Sequence, residues 1–390
     1  WLAEHAPRFS GEAQRGLGVA EDLALGREWQ RLKAAAGYAA ITLPSAYGGG
    51  GGGELHKIIF TEEELRYDLP TQYFTISLSN PLPMFLRYAS EERKQRLAPL
   101  AIRGDNIWCQ LFSEPAAGSD LAALRLSAIY REDAEEPYWV LNGQKLWTSW
   151  AQYADWGVLV ARTDSAVPKH AGLTYFFIDM KSAGITVRPV KKLNGDCDVN
   201  EVFFDDVRIP DSQRLGKVGD GFKLAIETLM IERYAVTDDA GGGPGLEDYI
   251  RLACETPLGS RPAIEDGEIA AQLANAWIER RGLRNIHRRA LDAIAQGRAP
   301  GPEGAIRKLL MGQTRQRLGQ LALDLLGPAG VALKPGAVPH RDFAASWLDS
   351  PGLRIAGGTD EILRNTIAER VLGMPQDYRP DKGIPFNQIK

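Results

Sequence analysis

The chain has 390 residues, enough for two or three domains, and its 44% apolar and 25% charged residues exclude a disordered, collagen-like or coiled-coil protein. With 46 basic and 50 acidic residues the formal net charge is −4, so no overall field draws it to nucleic acid or anionic lipid, and any bound anion needs a local site. Cys109, Cys197 and Cys254 form no Cys-x-x-Cys pair and the five histidines stand apart, which argues against a disulfide framework and a metal site and favours a reducing, cytoplasmic setting without a membrane span.

Residues 1–106 read as an all-helical N-terminal domain, with helix formers and charged faces over Leu23–Ala36 and Thr61–Arg66. Gly48–Gly53, six glycines in a row, interrupts it as a flexible surface loop. Residues 107–212 read as a β-barrel or sandwich. Short β-branched and aromatic runs fall at Trp108–Phe112, Tyr138–Leu141, Gly157–Ala161, Leu173–Ile178, Ile185–Val190 and Glu201–Phe204, with a hairpin turn at Asn142-Gly143. Residues 213–380 return to a helical period, a bundle. There Phe222, Ala225, Ile226, Leu229 and Met230 mark one stripe, and Ile306, Leu309, Leu310, Leu318, Leu321 and Leu325 another; residues 381–390 form a tail. The order all-α, all-β, all-α contains no βαβ unit, so a bound dinucleotide would not rest on a Rossmann sheet.

Two β-domain segments suit a ligand. Trp108 to Asp120 is a strand entering a loop of small and hydroxyl residues, able to aim N–H groups at a phosphate or to form a tight connection capped by Ser119 and Asp120. Asn142 to Ser149 ends in an aromatic and two hydroxyls; such a tryptophan can stack on a flat ring or plug the mouth of the barrel.

Together with Asn200–Pro210 and Ala356–Gly373, these segments resemble the acyl-CoA dehydrogenase family along nearly the whole chain. The resemblance implies a helical N-terminal domain, a middle β-domain and a C-terminal four-helix bundle, with FAD and an acyl-CoA thioester between the last two. It implies α,β-dehydrogenation to a trans-2-enoyl-CoA and an electron-transferring flavoprotein or similar acceptor, on fatty or steroid side-chain substrates. By the same resemblance Gln110, Phe112 and Ser113 lie near the flavin ring, and Gly118 and Ser119 at the pyrophosphate or the substrate. Trp147 and Ser149 match positions at the ring edges, and Gly358, Thr359 and Glu361 open the last helix near the ribityl and phosphate part. Thr359 is a good N-cap, and Asp360 and Glu361 suit the positive helix end.

Many members place the catalytic glutamate directly before a Gly-Thr pair; here that position is Gly357, a residue left beside the substrate without a side chain to act. Isovaleryl and long-chain types use a Glu-Arg pair on an earlier bundle helix, matched by Glu232 and the substrate-side Arg233. Helix geometry sets Glu232 at the border of the Phe222 stripe with no cation one turn away, which raises a carboxyl pKa toward that of a working base. Where homotetrameric members carry an Arg-x-x-Phe-Gly segment, this chain reads Cys254 to Gly259 with Glu255, and Asp324 replaces a glutamine. The assembly expected is a homotetramer or homodimer, or a heterotetramer with a sister subunit. Two other readings keep the fold: a non-catalytic or half-site subunit of such a heterotetramer, and an acyl-CoA oxidase or flavin monooxygenase.

Overall fold

A computed structural model describes residues 1–235, 243–296, 298, 301–331 and 342–389, leaving aside the side chains of residues 12, 230–235, 295 and 331. These residues form two compact units. The first holds Trp1–Lys192, Asp196–Ala235 and Tyr378–Lys390; the second holds Leu193–Gly195 and Val236–Asp377.

The first unit begins with helices α1 (Leu2–His5), α2 (Val19–Ala35), α3 (Glu54–Glu64), α4 (Gln72–Ser79), α5 (Pro81–Tyr88) and α6 (Glu91–Ile102). The six glycines do not form the loose loop expected of them. Their amides from Gly48 to Gly52 donate in turn to carbonyls of Ser45, Pro44, Ala40, Leu43 and Ile41. A Cβ on Gly49 would sit 2.2 Å from the Leu43 carbonyl oxygen, so close backbone approach requires glycine there.

Eight strands follow: β1 (Trp108–Leu111), β2 (Ser127–Arg131), β3 (Tyr138–Ser149), β4 (Trp156–Arg162), β5 (Leu173–Asp179), β6 (Ile185–Val190), β7 (Val199–Pro210) and β8 (Arg214–Leu215). They join in the order β6-β7-β3-β2-β4-β5-β8, with β1 parallel to β4. With a side-chain period of two and both faces buried, β4 and β5 carry near-continuous apolar runs. Val158, Val160, Tyr175 and Phe177 face a core shared with α5 and α6, whereas Leu159, Ala161, Phe176 and Ile178 face one shared with β3 and β7. Asn142-Gly143 is not a hairpin turn: β3 runs through it, and the pairing with β7 shifts register between Leu141 and Gly143 and again between Lys145 and Thr148.

Helix α7 (Gly221–Ala235) also belongs to the first unit. Among its described residues Gly221, Leu224, Ala225 and Thr228 are buried and Phe222 and Leu229 pack against the same core, while Ile226 is 42% exposed, so the buried face is turned from the expected stripe. Tyr175 and Thr228 share a buried hydroxyl contact of 3.0 Å, and Glu227 accepts from Arg87 and Tyr88.

The second unit packs α8 (Leu246–Glu255), a short pair β9 (Pro257–Leu258) and β10 (Arg261–Pro262), then α9 (Gly267–Ala295), α10 (Gly304–Leu326), α11 (Phe343–Leu353) and α12 (Asp360–Thr366). Leu246, Tyr249, Leu273, Ala276, Leu318 and Leu321 form its larger core. Among the described residues no helix is long and apolar enough to cross a membrane.

Candidate active site

Strand β1 alternates. Trp108 and Phe112 enter the helix-side core, Cys109 and Leu111 the sheet-side core, and Gln110, in phase with Trp108, accepts from Asn80 Nδ2 at 2.9 Å. Phe112 sets its ring edge-on to Tyr175 in the core, so what it offers at the strand end is backbone. The Ser113 carbonyl accepts the Leu146 amide at 2.9 Å, which joins the end of β1 to β3 just before Trp147.

A buried ion pair fastens this junction. Lys145 Nζ donates to Glu114 Oε1 and to the Phe112 carbonyl, each at 2.9 Å. Glu114 also accepts the amides of Arg125 at 2.6 Å and Leu126 at 2.9 Å. Burial pulls the Lys145 ammonium down to about 8, against the pull of Glu114. Beyond the pair the chain turns outward: Gly118 and Ser119 are exposed, open space surrounds Gly118, and their amides donate to no group among the described residues. Two neighbouring N–H groups without protein acceptors suit an anion.

The second shift in β3 sets Trp147 at φ +61 with 58% of its surface exposed. A bulky residue in the left-handed region is strained, and a large apolar ring in water forgoes burial. Thr148 beside it is buried with a hydroxyl that has no partner among the described residues, and Ser149 is half-buried at the strand end.

In the second unit Arg354 and Asp360 close a turn. The guanidinium holds Asp360 Oδ2 at 2.6 and 2.9 Å, and the Asp360 amide donates to the Arg354 carbonyl. Gly357 at φ +65 and Gly358 at φ +102 form its apex, where Lys308 donates to the Gly358 carbonyl at 2.8 Å. Thr359 caps α12 through the Ile362 amide, while Glu361 is exposed.

Residues 8–105, 109–207 and 219–372 match the N-terminal, middle and C-terminal domains of acyl-CoA dehydrogenase. Acyl-CoA dehydrogenase IpdE1 of Mycolicibacterium smegmatis is 35% identical over 90% of this chain and 89% of its own. The chain belongs to the acyl-CoA dehydrogenase family. It is therefore an acyl-CoA dehydrogenase in the family sense, a flavin-dependent oxidoreductase. The IpdE1 of Mycobacterium tuberculosis is 32% identical over 97% of this chain and 96% of its own. Two solved structures each superpose with a TM-score of 0.77: the Tcur3481-Tcur3483 steroid ACAD at 25% identity, covering 93% of this chain and 94% of its own, and the ChsE4-ChsE5 complex of M. tuberculosis at 27%, covering 90% and 91%.

The dehydrogenase's first unit brings together Gln110, Phe112, Ser113, Gly118, Ser119, Trp147 and Ser149 on two joined segments. Gly357, Gly358, Thr359 and Glu361 share one turn of the second unit. The Glu232 and Arg233 side chains lie outside the described residues. The open aromatic, the acceptor-free amides and the hydroxyls of Ser119 and Ser149 fit the ring and diphosphate of a flavin dinucleotide. No sequence motif singles out Lys145 or Glu114. The signal is periodicity: Lys145 stands in the inward phase of β3 with Trp139 and Leu141.

Proposed function

We propose that this dehydrogenase uses FAD to convert an acyl-CoA thioester to its trans-2-enoyl-CoA, with Glu232 as the base that takes the α-proton. When bound, FAD supplies the acceptor for the hydride that leaves the β-carbon. The observation that carries the reading is Trp147, held in strained backbone and left open where burial would stabilise it. Trp147 and Ser149 would flank the ring, Gln110, Phe112 and Ser113 would border it, and Gly118 and Ser119 would meet a diphosphate. Gly358, Thr359 and Glu361 would serve the ribityl and phosphate part.

In sequence Glu232 follows the buried Thr228 by four residues, one helical turn, and no lysine or arginine stands at its own i±3 or i±4 positions. A base working near neutral pH requires a carboxyl raised above its ordinary value, which an apolar neighbourhood and the lack of a local cation would supply. The developing enolate oxygen needs donors, for which the amides of Gly357 and Gly358 are the candidates, with Arg233 beside the substrate. The steroid ACAD and the two-component ChsE4-ChsE5 complex support a bulky, steroid-type thioester as substrate and an assembly with a sister subunit, and the family resemblance supports an electron-transferring flavoprotein as acceptor.

A second reading, a non-catalytic partner subunit, is favoured by one observation. The position of the usual base is Gly357, whose backbone is left-handed and bears no side chain. Purified protein distinguishes the two. A yellow protein that bleaches anaerobically with an acyl-CoA supports the enzyme, and colourless protein supports the partner. Glu232→Gln should stay yellow and fail to bleach, whereas bleaching at the parent rate removes Glu232 as the base.

A further inference from the structure

The loop that carries Gly118 and Ser119 is gripped by the end of the chain, within the same unit. The Phe386 amide donates to the Val167 carbonyl and the Asn387 amide to the Ser165 carbonyl, each at 2.9 Å, which lays the tail along the β4–β5 connection. Lys169 on that connection reaches Asp120 at 2.6 Å and Asp381 at 2.5 Å at once. Burial pulls its ammonium down, but the two carboxylates hold it above its ordinary value.

Arg162, at the end of β4, completes the grip. It is 6% exposed, no carboxylate among the described residues pairs with it, and it donates to the carbonyls of Ala122, Leu124 and Lys169. The Phe386 ring covers its guanidinium at 3.8 Å. A buried cation that no carboxylate among the described residues touches directly is stabilised by such carbonyls and such an aromatic face. His170, beside Lys169, sets its ring edge-on to Phe222 in the first turn of α7. Tail, loop and the helix that carries Glu232 therefore meet at one connection.

A loop with open space at Gly118 loses much freedom when it binds, and whatever orders it beforehand raises affinity. We propose that the C-terminal tail, through Asp381 on Lys169 and Phe386 on Arg162, positions the Gly118–Ser119 loop for a diphosphate. This rests on the reading above, in which that loop meets a diphosphate, whether that of FAD or that of coenzyme A. Lys169, Arg162, Asp381 and Phe386 are positioning residues and need not touch the ligand.

The test uses the full chain. Apoenzyme is titrated with FAD by flavin fluorescence, and FAD-loaded enzyme with coenzyme A by the flavin spectrum. Affinity for one of the two should fall roughly tenfold in Asp381→Asn, Phe386→Leu and Lys169→Met, and return to within about threefold of the parent in Lys169→Arg. The responding titration says which diphosphate the loop holds. Ser119→Ala is the control for the loop. If it weakens one titration and the tail variants weaken neither, the tail proposal is overturned and the reading of the loop stands. If Ser119→Ala and the tail variants all leave both titrations unchanged, both fall. Equal losses in Lys169→Arg and Lys169→Met overturn the charge clamp, as does a lowered thermal midpoint with both affinities intact.

Discussion

Lys145 and Glu114 form an ion pair at 2.9 Å in which the lysine has no exposed surface, two residues before the strained Trp147. Such a pair adds little over an apolar pair of the same shape, but removing one member strands the other. Lys145→Met should therefore cost about 3–5 kcal/mol in chemical denaturation, and Lys145→Met with Glu114→Leu should recover much of it. The pair also gives a pH signature. Burial holds Lys145 down to about 8 in the folded chain, below its ordinary value. Unfolding then takes up a proton between that value and the ordinary lysine range, so this group makes stability rise as pH increases through that window. Parent protein should show that rise from about pH 8 upward and Lys145→Met should lack it.

Trp147 separates stability from function. Glycine accepts φ +61 freely, and little burial is lost from a side chain that is mostly exposed. Trp147→Gly should change the folding free energy by less than about 1 kcal/mol, relief of strain offsetting the entropy of glycine. Flavin affinity should drop roughly tenfold or more, because the stacking face is gone. A parent-like affinity, measured by fluorescence titration, would mean that the open ring serves something other than the flavin.

Much of this was legible in the sequence, and the exceptions have physical causes. The runs at Gly157–Ala161 and Leu173–Ile178 announced their strands because both faces of β4 and β5 are buried. The Trp108–Asp120 and Asn142–Ser149 motifs lie on the two joined segments of the candidate site, but the register shifts that turn Trp147 outward depend on pairing with β7. Gly48–Gly53 read as loose because composition does not separate glycine used for freedom from glycine used for close approach. The Lys169–Asp381 contact joins chain regions with no local pattern in common, so neither residue stood out from ordinary surface charge.

Gly357 tests whether the missing side chain at the usual base position is a matter of conformation. Among the described residues a Cβ there would meet only the Lys308 side chain, at 3.9 Å, so they leave space for a larger residue, but φ +65 disfavours one. Gly357→Ala and Gly357→Glu should each cost about 1 kcal/mol, read as a shift of the urea midpoint. Placed in a Glu232→Gln background, Gly357→Glu should leave the flavin unbleached by acyl-CoA. Recovery of bleaching would mean the turn can carry a base despite its left-handed backbone.

Asp360, buried at the first position of α12, accepts from Arg354 at 2.6 and 2.9 Å and from Gln313 at 3.1 Å. Burial alone would raise its carboxyl pKa, but the Arg354 and Gln313 hydrogen bonds outweigh burial and hold it below the ordinary carboxylate value. A carboxyl depressed in the folded state contributes stability that is complete above its unfolded value, near pH 4, and fades as pH falls through the folded one. Asp360→Asn leaves the guanidinium without its anion and should cost about 1–3 kcal/mol at pH 7. Since the amide does not titrate, urea midpoints of parent and variant should draw together as pH falls from about 5 to 3. A gap of constant size across that range would place the stabilisation in the shape of the turn around Gly357 and Gly358, and not in the charge of Asp360.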